Sequence, residues 1–165
     1  MGLNAPQPLV PDHETEAFAS GVSELDTWLK KRARLNERTG ASRTFALCDG
    51  RTVVGYYSLA TTSLLHSVAT GKVRRNMPEP IPAVLIGRLA LDKAYQGKGH
   101  GVGLLQDAVL RIAGASQTIG IRAILVHAKS DSAKAFYERF GFRPSPMETM
   151  TMMMTIEEVL RYNAL

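Results

Sequence analysis

Apolar residues recur at every third or fourth position between Val22 and Leu35, which predicts an amphipathic helix. Ser23 is placed to cap its first turn, and Gly40 is placed to end it. The outer face of this predicted helix carries four cations, Lys30, Lys31, Arg34 and Arg38. The first long element is therefore expected to be a helix with a basic surface.

Shorter apolar runs dominate the rest of the chain and predict strands. The predicted elements are, in order, a hairpin of strands 43–47 and 52–60 around Asp49-Gly50, a buried strand 83–91, a helix after the glycine-rich segment 96–103, a strand 122–128, a helix 132–140, a strand 149–154 and a short helix opened by Thr155 and Glu158. Residues 61–80 show no clear period, and Pro78, Pro80 and Pro82 disfavour regular structure there. This order predicts one α/β domain over residues 1–165, with a mixed, mostly antiparallel sheet, flanking helices and a single crossover unit.

Composition narrows the class of protein. With 165 residues, 45% apolar and 21% charged, the chain is typical of one globular domain. No apolar run approaches the ~20 residues of a membrane helix, and the N-terminus does not resemble a signal peptide. The single cysteine, Cys48, excludes an internal disulfide and a cysteine-cluster metal site, so a cytoplasmic protein without a metal is expected. The net charge of +5 favours an anionic partner.

The segment Gln96–Gly103 has the setting of an anion-binding loop, because it lies between a predicted buried strand and a helix. Glycines allow backbone N–H groups to converge on an anion, and the helix adds the positive end of its dipole. Lys98 brings a mobile positive charge to the same place. The segment lacks the Gly-Lys-Ser/Thr ending of a Walker loop and the downstream acidic residue of a dinucleotide-binding loop. A pyrophosphate is the expected occupant.

Two motifs together resemble the GNAT acyltransferase superfamily. One is Gln96-x-x-Gly99-x-Gly101 after a strand, and the other is Ala133-x-x-x-Tyr137 followed by Gly141. The resemblance implies that acetyl-CoA lies in a cleft where strand 83–91 splays from strand 122–128. It also implies that Tyr137 protonates the departing thiolate, which suits a phenol of pKa ~10. The implied cofactor contacts are Leu89, Leu91, Gln96, Gly97, Lys98, Gly99, His100, Gly101 and Val102, with the Leu89 N–H near the acetyl carbonyl.

Further segments resemble one branch of this superfamily, the bacterial TacT-type toxins. They are Phe18–Gly21, Leu25–Lys30, Gly40–Phe45, Gly87–Ala90 and Phe140–Pro146. The resemblance implies acetylation of the α-amine of aminoacyl-tRNA, which blocks translation. It also implies a ribbon-helix-helix antitoxin as partner and a homodimer.

The predicted strand 83–91 contains no Asp or Glu to act as a general base. A lysine amine, with a pKa near 10.4, must lose a proton before it attacks, whereas an α-amine with a pKa of about 7.7–8 is already partly neutral. The absence of a base therefore favours an α-amine as acceptor.

Cations are the candidate contacts to tRNA phosphates: Lys30, Lys31, Arg34 and Arg38 on the first helix, Lys72, Arg74 and Arg75 in the segment without a clear pattern, and Arg88 on strand 83–91. Arg88 is expected either to line the cleft or to pair with a carboxylate. Trp28, Cys48 and the methionines at 150–154 are expected in the core or in packing surfaces, and His127 in the core or the cleft wall.

Two alternative functions remain open on the sequence. One is a GNAT enzyme acting on a small amine or a protein N-terminus, for which Asp92 and Glu79 are the few acidic candidates near strand 83–91. The other is a non-catalytic acyl-CoA-binding module, which the presence of Tyr137 disfavours.

Overall fold

Seven strands form one mixed sheet in the computed structural model, which describes residues 2–163, with side chains through Tyr162. The strands are β1 (Gln7–Pro8), β2 (Arg43–Asp49), β3 (Thr52–Leu64), β4 (Ile81–Leu91), β5 (Ala123–His127), β6 (Arg143–Pro144) and β7 (Thr151–Thr155), in the order β1-β2-β3-β4-β5-β7-β6. β4 and β5 run parallel, whereas β1–β2, β2–β3, β5–β7 and β6–β7 are antiparallel. The predicted α/β fold with a mostly antiparallel sheet is confirmed.

Six helices accompany the sheet within the described residues. They are α1 (Ser23–Lys31), α2 (Ala33–Thr39), α3 (Gly71–Arg74), α4 (His100–Ala115), α5 (Asp131–Phe140) and α6 (Ile156–Asn163), and a 3-10 turn covers Lys93–Tyr95. None of the helices within residues 2–163 combines the length and the apolar composition that crossing a membrane requires.

The single helix predicted after Ser23 is in fact two helices. The helical path breaks at Arg32, whose φ of −117° departs from helical values, and α2 then continues to Gly40 in the left-handed conformation. Ser23 is not the cap, since it is already the first residue of α1. Ser20 instead connects the segment before α1 to its first turn. Its hydroxyl accepts a hydrogen bond from the N–H of Val22 at 3.1 Å and donates one to the Asp26 carboxylate at 2.6 Å.

The chain divides into two compact units, and the first comprises the residues up to Ala60 together with Gly87–Ala108. Its core is aromatic: the ring of Tyr56 stacks on Trp28 at 5.8 Å and meets Phe18 edge-on at 5.6 Å. The Tyr56 hydroxyl donates to the Leu25 carbonyl at 2.7 Å, which fixes α1 against β3. The predicted core position of Trp28 is confirmed, since only 8% of it is exposed.

The second unit comprises Thr61–Ile86 and the residues from Val109 onward. Here Ala83–Ile86 of β4 pair in parallel with Ala123–Val126 of β5, as the predicted crossover requires. The methionines of β7 are buried, which confirms their packing role. The predicted capping box is also confirmed: the N–H of Thr155 donates to the Glu158 carboxylate at 3.1 Å, and the N–H of Glu158 donates to the Thr155 hydroxyl at 3.0 Å.

Three local predictions need correction. The hairpin turn consists of Gly50 and Arg51, because Asp49 already pairs with Thr52. β4 starts at Ile81 and includes Pro82, whose carbonyl accepts from the N–H of Arg122 at 2.9 Å. A proline lacks a donor but keeps its acceptor, so it is tolerated at the beginning of a strand. His127, the last residue of β5, is exposed, which corrects the core position predicted for it and leaves the cleft wall as a prediction.

Candidate active site

The predicted pyrophosphate loop, residues 96–103, is shorter than expected, because its second half is already helical. Gly97 and Gly99 adopt positive φ values of 76° and 87°, which only glycine adopts without strain. α4 begins at His100, so His100, Gly101 and Val102 form its first turn rather than loop. The bond from the Gly103 N–H to the Gly99 carbonyl, at 3.3 Å, is part of this start. The N–H groups of a first helical turn have no acceptor within the helix and are available to an anion.

The space around the glycines is open. A Cβ atom added at Gly97, Gly99 or Gly101 would meet no atom within 4 Å. Lys98 between them is exposed. The segment can therefore accept a phosphate group against its backbone without any rearrangement of neighbouring side chains.

The side chain of Gln96 is engaged within the protein. Its Nε2 donates to the carbonyl of Ser20 at 2.9 Å and to the carbonyl of Leu91 at 2.8 Å. The start of the loop is thus fixed both to the end of β4 and to the segment before α1. The amide side chain of Gln96 acts on the loop by holding its backbone.

Asp92 belongs to the same junction. Its carboxylate accepts from the N–H of Ala19 at 3.0 Å and from the N–H of Ala94 at 3.0 Å. In return, the N–H of Lys93 donates to the carbonyl of Ala19 at 2.9 Å. Asp92 is therefore a capping and bridging residue of the fold.

Strand β4 provides the predicted contacts Leu89, which is partly exposed, and Leu91, which is buried. Sequence reasoning missed Gly55, on which the position of Leu91 depends. A Cβ at Gly55 would lie 3.0 Å from Leu91 Cδ1 and 3.1 Å from Leu104 Cδ1, so a larger residue there would require both leucine side chains to shift. The available signal was a glycine inside the apolar run Val53–Tyr56, which indicates a close approach. Gly87 on β4 also has a close neighbour, since an added Cβ would lie 3.2 Å from Ser58 Oγ.

Tyr137 lies in the second unit, on α5. This helix is capped by Ser130, whose hydroxyl accepts from the N–H of Ala133 at 3.1 Å, and it ends at Gly141 with a φ of 119°. The ring of Tyr137 meets Phe136 at 5.3 Å and Phe142 at 5.7 Å, both edge-on. Burial among these groups raises the pKa of Tyr137 to about 12. The phenol is therefore a neutral hydrogen-bond donor at physiological pH.

Three of the four cations predicted on the surface of α1 and α2 are exposed there. Lys30, Lys31 and Arg38 are exposed. Arg34 is not on that surface, because its guanidinium turns inward and donates to the carbonyl of His13. Its Nε is buried without a hydrogen-bond partner among the described residues.

The second basic cluster is exposed at all three predicted residues. Arg74 donates to the carbonyl of Ala69 at 3.0 Å, and Lys72 lies 3.7 Å from the Glu158 carboxylate. Arg75 follows directly after α3.

Arg88 makes a contact that the sequence did not predict, and its place in the cleft wall stays a prediction. Its guanidinium carbon lies 4.2 Å from the centre of the Trp28 ring, a cation–π contact.

Cys48 is buried as expected, and burial raises the pKa of its thiol, which makes it unreactive. Among residues 2–163 there is no group of three or more His, Cys, Asp and Glu side chains arranged to hold a metal ion.

Comparison with known proteins places these features in a family. Residues 40–144 match the acetyltransferase (GNAT) domain. The chain is 46% identical over 158 residues to a tRNA-acetylating toxin of Mycobacterium tuberculosis, and the match covers 95% of both chains. The chain therefore belongs to the GNAT acetyltransferase family, in the branch that contains the tRNA-acetylating toxins, and the resemblance drawn from its motifs is confirmed.

Solved structures agree with this placement. AtaT complexed with acetyl-methionyl-tRNAfMet is similar with a TM-score of 0.90 at 26% identity, over 98% of this chain and 99% of that one. A tyrosine-to-phenylalanine mutant of the AtaT toxin, bound to the C-terminus of the antitoxin AtaR and acetyl-CoA, is similar with a TM-score of 0.87 at 25% identity, over 100% of both chains.

Proposed function

We propose that this protein transfers the acetyl group of acetyl-CoA to the α-amine of aminoacyl-tRNA, as the toxin of a toxin–antitoxin pair. The observation that carries the proposal is the 46% identity to a tRNA-acetylating toxin over 95% of both chains. An α-amine converted to an amide has lost its nucleophilic lone pair. The modified aminoacyl-tRNA cannot accept a growing peptide, so translation stops.

The loop after β4 suits acetyl-CoA, which supplies an activated acetyl thioester. The backbone N–H groups of residues 97–102 would hold the pyrophosphate, helped by the charge of Lys98 and the positive end of α4. The positive φ at Gly97 and Gly99 and the open space around them support this role. Leu89 and Leu91 would offer backbone groups to the pantetheine arm.

Tyr137 acts as the acid in this scheme. Its O–H proton passes to the sulfur as the carbon–sulfur bond breaks, and the ammonium of the attacking amine restores the proton to the phenol. A pKa of about 12 keeps the hydroxyl protonated before each turnover. Proton transfer from a positioned acid during bond breaking avoids the release of a free thiolate. The Leu89 N–H would stabilise the charge that develops on the acetyl oxygen.

The acceptor amine must arrive largely neutral, because β4 carries no acidic residue. The two nearby carboxylates are engaged elsewhere: Asp92 accepts from Ala19 and Ala94, and Glu79 accepts from the N–H of His66 at 2.7 Å. These contacts speak against a cationic small amine as substrate and support the α-amine of an aminoacyl ester.

Exposed cations are the proposed contacts to tRNA phosphates. They are Lys30, Lys31 and Arg38 on the first two helices and Lys72, Arg74 and Arg75 at α3, and the partly exposed Arg88 is proposed with them. The proposed partners are a ribbon-helix-helix antitoxin and a second copy of the chain, and the proposed setting is the cytoplasm, where charged tRNA is found.

Cell-free translation tests this function. In an extract freed of CoA, the protein together with acetyl-CoA should stop synthesis of a reporter, while the protein alone should not. Freshly charged tRNA added in excess should restore synthesis for a limited time. Unchanged synthesis in the presence of acetyl-CoA, or arrest without it, would refute the proposal.

A further inference from the structure

A cavity of about 410 Å³ lies within the second unit and is unrelated to the glycine-rich loop. It is bordered by α3, the start of β5, the end of β7 and α6. Four cationic side chains line it: Lys72, Arg75, Arg122 and Arg161. Two carboxylates, Glu157 and Glu158, also line it, so the cavity carries a formal surplus of positive charge.

The wall around Arg122 is built rigidly. The guanidinium Nε of Arg122 donates to the carbonyl of Val73 at 3.0 Å, and its Nη2 donates to the carbonyl of Lys72 at 2.7 Å. The backbone N–H of Arg122 donates to the carbonyl of Pro82 at 2.9 Å, and the carbonyl of Arg122 accepts from the N–H of Ile156 at 3.0 Å. One residue therefore ties α3, β4 and the start of α6 together, and it holds a permanent positive charge in the cavity wall.

The charges of the lining are not equally available to a ligand. Glu158 accepts from Thr155 in the capping box and lies 3.7 Å from Lys72, so these two charges largely offset one another. Arg75 and Arg161 are exposed, one after α3 and one on α6. These two arginines give the cavity its net attraction for an anion.

The chemistry of the lining favours a ribonucleotide over an acidic peptide. Guanidinium groups match the geometry of phosphate oxygens. Glu157 and the amide of Asn76 stand among the cations, and a ribose hydroxyl can donate to the carboxylate while the phosphate contacts the arginines. An acidic side chain of a peptide brings no hydroxyl donor for Glu157, whereas a nucleotide brings a ribose hydroxyl beside its phosphate. The volume lies within the range of about 300–1,000 Å³ typical of small-ligand sites.

We infer that this cavity, whose lining contains none of the residues assigned to acetyl transfer, receives a backbone phosphate and its ribose from the bound tRNA. The inference rests on the proposed function for the identity of the RNA. Arg75 and Arg161 make the phosphate contacts, and Arg122 fixes the wall against which the nucleotide rests.

The test compares two double variants of equal net charge. Arg75→Gln/Arg161→Gln removes the two cavity cations. Arg43→Gln/Arg51→Gln removes two exposed arginines outside the cavity, which pair with Glu37 and Glu14 on the surface. Binding of fluorescently labelled, uncharged total tRNA is measured by anisotropy over a range of salt concentrations, without acetyl-CoA. Thermal melting checks that both variants fold like the wild type.

The cavity variant should bind tRNA about tenfold more weakly, and its log–log salt slope should fall by about 1.4–1.8, the value for two lost phosphate contacts. The control variant should stay within about twofold of the wild type. Equal affinity of the two variants overturns the inference. So does a cavity variant that keeps its tRNA affinity but loses capture by an antitoxin, since that assigns the cavity to a protein partner.

The two proposals fail separately in this design. A wild type that binds tRNA through the cavity but transfers no acetyl group to charged tRNA refutes the proposed function and leaves the inference standing. A wild type that acetylates charged tRNA while the cavity variant binds like the control refutes the inference alone.

Discussion

The hydroxyl of Tyr137 keeps its proton at neutral pH because partial burial of the residue raises its pKa. Phe136 and Phe142 contact its ring from two sides, and burial raises its pKa to about 12. A phenol with such a pKa is suited to the proposed role of proton donor and unsuited to act as a base at neutral pH.

Replacing Tyr137 by Phe removes a single hydroxyl and leaves the aromatic packing intact. Turnover with charged tRNA should fall at least ~100-fold, the scale of a positioned acid. Calorimetry should show unchanged affinity for acetyl-CoA. Tyr162→Phe is the matched control, because that hydroxyl is on a side chain that is 69% exposed. Full activity of the Tyr137 variant would remove it from the mechanism.

The dependence of the rate on pH follows from the same residue. A folded-state pKa raised to about 12 means that Tyr137 stays protonated through the whole range from pH 6 to 9.5. The α-amine, by contrast, loses its proton near pH 7–8. In single-turnover measurements, kcat/KM for charged tRNA should rise through this range and then stay level. A fall between pH 8 and 9.5 would mean that the acid titrates there and is not this tyrosine.

At the scale of elements, the junction between β4 and α4 determines where the cofactor loop lies. Gln96 links the loop to Ser20, a residue 76 positions earlier, and to Leu91. Gly55 on β3 leaves the space in which Leu91 and Leu104 pack. The loop is thus held by contacts that are distant in the sequence.

Gln96→Glu tests this positioning role with a side chain of the same shape. A carboxylate cannot donate to the two carbonyls and is repelled by both. We expect the KM for acetyl-CoA to rise severalfold and the free energy of unfolding to fall by about 1–3 kcal/mol. Gln117→Glu, on an exposed residue after α4, is the control. An unchanged KM and an unchanged melting temperature would show that the two hydrogen bonds are dispensable.

Gly99→Asp tests the anion-binding surface itself. The carboxylate would stand where a pyrophosphate is expected and repel it, so acetyl-CoA affinity should fall at least tenfold by calorimetry. Gly40→Asp is a control matched in backbone strain, because Gly40 has a φ of 81° and no atom within 4 Å of an added Cβ. If both variants bind acetyl-CoA like the wild type, the loop does not hold the pyrophosphate.

For the molecule as a whole, the net charge of +5 is divided among separate surfaces. Replacing Lys30, Lys31 and Arg38 together with Ala should weaken tRNA binding and lower its salt slope, while acetyl-CoA affinity persists. The changes are exposed, so stability should move by no more than about 0.5 kcal/mol for each residue. If the triple variant acetylates charged tRNA at the wild-type rate at all salt concentrations, this surface is not an RNA contact.

The parts of this structure that depend on local pattern could be predicted, and those that depend on distant partners could not. Period and turn residues located the buried strand before Gln96, the helix after the glycine-rich segment and the capping box of Thr155 and Glu158. The inward turn of Arg34 toward His13 depends on residues that are distant in sequence. The same holds for the bridging role of Asp92, which contacts Ala19. No periodicity in a single segment carries such information.

The most direct measurement follows the acetyl group to its acceptor. Purified protein is incubated with acetyl-CoA and total charged tRNA, the RNA is digested, and the released aminoacyl-adenosines are weighed by mass spectrometry. The account predicts a species one acetyl group heavier than the aminoacyl-adenosine, formed only with acetyl-CoA and absent with Tyr137→Phe. Unmodified aminoacyl-adenosines, in a preparation that acetylates small amines or peptides under the same conditions, would contradict it.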